Sequence, residues 1–111
     1  MHKSSTKTSL ISLSKESSGI STLIMNDRAC KNALTPQFVE ELIVCLNVAK
    51  ADNTLKVLVL AGTEDIFCSG ADLDTLIKLC KRELQPVDII LSKLILDIPV
   101  PVISAMQGHA I

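Results

Sequence analysis

Residues 55–61 read Leu-Lys-Val-Leu-Val-Leu-Ala, a short, apolar and β-branched run. Such a run fits a buried strand. What flanks it agrees. Upstream, Thr35-Pro36 reads as a helix start, with Thr able to accept a hydrogen bond from a free amide and Pro suited to the first helical position. Val39, Leu42, Ile43, Leu46 and Ala49 follow at helical spacing, which predicts an amphipathic helix from Pro36 to Ala51. Downstream, Gly62 to Gly70 reads as a loop, Asp72 to Lys81 as a helix and Val87 to Leu96 as another. Pro101 to Ala105 reads as a strand, after which Gln107-Gly108-His109 begins a turn.

Toward the N-terminus, Leu10, Ile11 and Leu13 form one short apolar run and Ile20 to Met25 a second. The polar segment between them ends at Gly19, so the pair reads as a β-hairpin. Asn26 to Leu34 has no period and reads as a loop. The order is therefore β-β-α-β-α-α-β. Strand, crossover helix, strand implies parallel pairing with helices packed outside, an α/β fold. Sites in such folds sit in loops at the carboxyl ends of strands.

Composition narrows the function classes. The 111 residues are 48% hydrophobic and 21% charged, which suits one folded domain. Eleven Lys and Arg against twelve Asp and Glu leave a net charge of -1, without the basic excess of a nucleic-acid binder. Phe38 and Phe67 are the only aromatic residues, so stacking platforms for bases are scarce. Cys30, Cys45, Cys68 and Cys80 form no C-x-x-C pair and read as free thiols of a reducing, cytoplasmic compartment. No metal site is expected, because His2 and His109 lie far apart. The apolar stretch Val87–Met106 is interrupted by Asp88, Lys93, Asp97, Pro99 and Pro101, so no membrane helix is expected. Residues 1–9, rich in Ser, Thr and Lys, read as a disordered leader, and residues 10–111 as the folded domain.

Chemistry points to Phe67-Cys68-Ser69-Gly70-Ala71-Asp72-Leu73, a strand exit, a Gly that permits unusual backbone angles, and a helix start. The first amides of a helix lack internal partners and carry partial positive charge, so the Ala71 amide suits an anionic oxygen. The plainer alternative is that Gly70 turns the chain and Asp72 caps the helix. Glu64 and Asp65 offer paired carboxylates, otherwise read as solvated charges. His109 could exchange protons near neutral pH or serve only as a hydrogen-bonding group.

Four segments resemble, in order, those of the enoyl-CoA hydratase/isomerase (crotonase) superfamily. They are Asn32-Ala33-Leu34-Thr35-Pro36, Val57-Leu58-Val59-Leu60-Ala61-Gly62, Phe67 to Leu73, and Pro99 to Ala110. The resemblance covers residues 10 to 111. It implies a crotonase-like spiral of ββα turns, of which this chain holds only the N-terminal turns. It also implies an acyl thioester substrate carried by coenzyme A or by the phosphopantetheine arm of a carrier protein, and no permanently bound cofactor. In that family two backbone amides hold the thioester oxygen as it becomes an enolate. By position the first amide maps to Ala71, the segment Ser69, Gly70, Ala71, Asp72 and Leu73 maps to the pantetheine and adenine end, and Arg28 and Lys31 map near the coenzyme A phosphates. Asp74 maps to a position where some branches place an acid, and Cys68 to one filled by several small residues. Complete members form trimers or hexamers.

The family's second amide, from a glycine-rich turn, and its catalytic carboxylates would follow Ile111. The resemblance therefore implies part of a hydratase, isomerase or decarboxylase, inactive as the isolated 111 residues. The alternative is a non-catalytic, truncated binding or interaction module. Ala105-Met106-Gln107-Gly108-His109-Ala110, with Cys30-Lys31-Asn32-Ala33 upstream, resembles the polyketide β-branching branch; ordinary fatty-acid metabolism is the other option.

Overall fold

The computed structural model describes residues 5–16, 18–63, 66–70, 87–106 and 109–110. Three antiparallel strands open the chain: β1 (Ser5–Lys7), β2 (Ile11–Lys15) and β3 (Ile20–Met25). The hairpin of β2 and β3 agrees with the apolar runs. Within the segment 1–9 read as a disordered leader, residues 1–4 lie outside the described residues and Ser5–Lys7 form β1. Its polar Ser-Thr-Lys carries no apolar period, yet its backbone pairs with β2 from Ser5↔Ser14 to Lys7↔Ser12. Backbone hydrogen bonds, not side-chain burial, make that strand.

Helix α1 (Pro36–Lys50) begins where Thr35 and Pro36 predict. Thr35 is extended (φ -72°, ψ 159°), and its hydroxyl accepts from the Phe38 N–H at 3.2 Å. The helix buries Phe38, Val39, Leu42, Cys45, Leu46 and Ala49, the face its spacing defines. It leads into β4 (Val57–Ala61), parallel to β3 with Leu23 opposite Leu60. A second helix, α2 (Val87–Leu96), packs against α1 and leads into β6 (Val102–Ala105), parallel to β4. The sheet order is β1-β2-β3-β4-β6.

Alternation along these strands sends Ile11, Leu13, Leu23, Met25, Leu58 and Leu60 to the face under α1, where they form one core with Phe38, Leu46, Leu91 and Ile98. The opposite face carries half-buried Thr22, Ile24 and Val59, with Ile20 and Ile103 exposed. Glu41 ties α1 to the turn before β2. Its carboxylate accepts from the Leu10 N–H (2.9 Å), the Ser9 hydroxyl (3.0 Å) and Gln37 Nε2 (2.9 Å).

Two further strands form a separate pair. β5 (Ile66–Cys68) lies parallel to β7 (His109–Ala110), with Ile66 opposite His109 and Cys68 opposite Ala110. β5 falls inside the segment 62–70 read as a loop, and β7 includes His109, read as part of a turn. Both are too short to show a period. The helix expected over Asp72–Lys81 lies outside the described residues.

Candidate active site

Where β3 ends at Met25, the chain turns through residues 27–34 before reaching α1. Lys31 and Asn32 both occupy the left-handed region, at φ 54° and 56°. Asparagine tolerates this conformation because its short polar side chain can bond locally. Here it does. The Asn32 N–H donates to the Asp27 carbonyl (2.9 Å), and the Asp27 N–H donates to Asn32 Oδ1 (2.7 Å). Asp27 Oδ1 accepts from the Cys30 N–H at 3.2 Å. Asp27 and Asn32 are buried, at 5% and 2% exposure.

Asn32 also reaches out of its own loop. Its Nδ2 donates to the Met25 carbonyl at the end of β3 (3.2 Å) and to the Phe67 carbonyl in β5 (3.1 Å). From there the two segments run together. The Cys68 thiol donates to the Asn32 carbonyl (3.3 Å), the Ser69 N–H to the Lys31 carbonyl (3.1 Å) and the Ser69 hydroxyl to the Cys30 carbonyl (3.3 Å). The Leu34 N–H donates to the Gly70 carbonyl at 2.9 Å. Gly70 is buried at φ 95°, a conformation that glycine alone adopts without a steric penalty.

Two glycines thus bracket β5 for different reasons. Gly70 turns the chain. Gly62 makes room: a Cβ on it would sit 2.2 Å from the Ile66 carbonyl oxygen and 2.8 Å from the Phe67 Cα. That close approach tucks β5 against the end of β4.

Of the residues singled out from sequence, Lys31, Ser69 and Gly70 are brought together. The Lys31 carbonyl faces Ser69, while its side chain is exposed. Arg28 is exposed on the same loop. Cys68 is half-buried and bonded as above. His109 is opposite Ile66 in the backbone register. Ala71, Asp72 and Leu73 lie outside the described residues, as do Glu64, Asp65, Asp74 and Cys80. Asn32, quoted only within a family-like motif, and Asp27 were not named as site residues from sequence.

Among the described residues, no group of three or more His, Cys, Asp or Glu could hold a metal ion, and no helix is long and apolar enough to cross a membrane. Cys30, Cys45 and Cys68 are free thiols.

The parallel pairing of β5 with β7 means that Ser69-Gly70 and the chain beyond Ala110 leave the pair at the same end. The carboxyl ends of β5 and β7, distant in sequence, therefore lie side by side. Comparison with known proteins gives this geometry a context. The family model described as enoyl-CoA hydratase/isomerase matches residues 15–111. The bacillaene synthase decarboxylase PksI of Bacillus subtilis (strain 168) is 32% identical over 103 residues, covering 93% of this chain and 41% of that protein. The solved ECH2 decarboxylase domain of CurF from Lyngbya majuscula is 35% identical with a TM-score of 0.81, covering 93% of this chain and 42% of that one. A structure from a dehydratase/decarboxylase enzyme couple involved in polyketide β-branching is 32% identical with a TM-score of 0.86 and the same coverage. The chain thus spans about two fifths of the length of these relatives.

Proposed function

This chain belongs to the enoyl-CoA hydratase/isomerase family, and from that premise we propose that it forms the N-terminal part of an enzyme acting on an acyl thioester. Its α/β fold is the crotonase fold, spanned in part. The reaction is the stabilisation of a thioester enolate. In a decarboxylation the carbon–carbon bond to the carboxylate breaks, carbon dioxide leaves, and the electron pair is delocalised into the thioester carbonyl, whose oxygen carries negative charge until the carbanion takes up a proton. Preformed amides aimed at that oxygen stabilise the charge as it develops; losing one such donor typically costs about 2.7–4 kcal/mol. The Ala71 amide, following Gly70, is the donor this chain would supply.

One observation carries the reading. β5 and β7 run parallel, so the Gly70 turn and the carboxyl end of β7 lie at one end of the pair, the arrangement two converging amides need. Arg28 and Lys31, exposed on the adjoining loop, suit the phosphates of coenzyme A or of a carrier protein's phosphopantetheine. The relatives named as decarboxylases favour loss of carbon dioxide from a carrier-bound acyl group over addition of water to a fatty enoyl-CoA.

Calorimetric titration of the protein, expressed at its natural length, with crotonyl-CoA and with an acyl-loaded carrier protein tests this. Binding of either supports the reading, and binding of neither refutes it. Release of carbon dioxide from a carboxylated thioester separates decarboxylation from hydration, which would consume the crotonyl double bond instead.

A further inference from the structure

An amide that holds developing charge works only if its backbone is held still. The described residues show what holds the backbone that leads up to it, Phe67–Gly70. Asn32, 2% exposed, spans the end of β3 and the middle of β5 through its two Nδ2 hydrogens, at 3.2 Å and 3.1 Å. Its Oδ1 is used by the Asp27 N–H. Every hydrogen-bonding atom of the side-chain amide except the second lone pair of Oδ1 is therefore engaged. Ser69 and Leu34 continue the same seam to the Gly70 carbonyl.

We infer that Asn32 is a positioning residue for the oxyanion turn, fixing the path of Phe67–Gly70 and so the aim of the peptide unit that begins at the Gly70 carbonyl. The inference rests on the acyl-thioester reading above. A peptide unit is planar, so its carbonyl and amide ends move together. The Leu34 N–H holds the carbonyl end. Moving Phe67 off Asn32 drags Ser69 and Gly70 with it and turns the unit. The geometry also dictates the residue type. Asp offers no donor, Ser is too short to span both carbonyls, and Gln is longer and lacks the tolerance of Asn for φ 56°.

The test uses cinnamoyl-CoA, whose conjugated absorption band moves to longer wavelength when its carbonyl is polarised by hydrogen bonds. The protein at its natural length is compared with Asn32→Gly, which keeps the left-handed backbone and deletes the side chain. The variant is expected to lose most of the band shift on the probe that it still binds, whatever affinity it gives up as the loop carrying Lys31 loosens. The band is read on bound probe, so partial unfolding reduces its amplitude and leaves its position unchanged. An equal shift in both proteins overturns the inference and leaves the acyl-thioester reading standing. Bound probe with no shift in the unaltered protein overturns both. If Asn32→Gly does not fold, amide exchange on the unaltered protein decides. Slow exchange at Leu34 and Ser69 that slows further with probe supports the inference, and exchange at the rate of free amides overturns it.

Discussion

Replacing Gly62 with alanine measures how firmly β5 is seated against β4. Gly62 is buried, and its φ is not in the left-handed region, so alanine meets no backbone strain of that kind there. The cost is contact. The new methyl would lie 2.2 Å from the Ile66 oxygen and 2.8 Å from the Phe67 Cα, and both are backbone atoms that cannot rotate away. A carbon–oxygen contact relaxes only at about 3.3 Å, so β5 must withdraw by about 1 Å. Overpacking of this kind costs about 1–3 kcal/mol. The withdrawal also stretches the Asn32 Nδ2 bond to Phe67 (3.1 Å) and the Ile66 N–H bond to Thr63 (3.2 Å), each with a net value of about 1 kcal/mol. The expected loss is about 3 kcal/mol. With a urea m-value near 1.5 kcal/mol/M, that moves the unfolding midpoint down by about 2 M with m unchanged. In parallel, the side-chain amide signals of Asn32 should shift in a nitrogen–proton NMR spectrum. A midpoint within about 0.3 M of the original, with the Asn32 signals unmoved, would refute the tight approach of β4 and β5.

Three other outcomes follow from different parts of the fold. The Glu41 carboxyl is lowered from 4.5 to about 2, first by the Thr8 hydroxyl and further by the Leu10 N–H, Gln37 and Ser9, against an opposing push from desolvation. A depressed carboxylate stabilises the fold fully above its unfolded value of 4.5 and loses that contribution as pH falls toward 2, so acid titration of Glu41→Gln should show a shallower decline over that window. At pH 7 that variant should lose about 1 kcal/mol, since solvent screens part of the interaction; an unchanged acid limb would contradict the latch. Phe38, at 0% exposure in the centre of the core, should cost about 3–5 kcal/mol as Phe38→Ala in urea unfolding. Iodoacetamide should label exposed Cys30 in the folded protein but spare Cys45, whose thiol is buried and pushed up by desolvation and by Glu41, until urea is added; mass spectrometry of the labelled peptides reads this directly.

Legibility in the sequence followed the length of each element and the range of its bonds. α1 announced itself through the Thr35 cap, Pro36 and a repeating apolar face, and β3, β4 and β6 through runs that alternate or stay apolar. β5 did not, because Ile-Phe-Cys between two glycines is shorter than any period. β1 did not, because a polar edge strand is made by its partner's free backbone groups. The same division applies at the site. Gly70 was legible because glycine before a helix start has a local conformational meaning. Asn32 was visible only as part of a family-like motif; its physical role rests on a bond to Phe67, 35 residues away, that exists only once β3 and β5 are adjacent.

The left-handed pair at Lys31 and Asn32 sets how this loop meets the segment Phe67–Gly70. For an ordinary L-residue that conformation costs about 1–2 kcal/mol, and Lys31 has no side-chain route to recover it. The cost is tolerated because the loop is fastened at both ends, by Asn32 to Met25 behind it and by the α1 cap ahead, with Phe38 and Met25 anchored in the core. What the strained turn achieves is a reversal of direction within one residue. The Lys31 carbonyl points inward to the Ser69 N–H, while the Lys31 side chain stays exposed. The turn therefore couples an exposed lysine to the inward backbone that lies against Ser69 and Gly70. Under the acyl-thioester proposal, attraction of a phosphate at the surface and alignment of the Gly70 turn are two ends of one short segment.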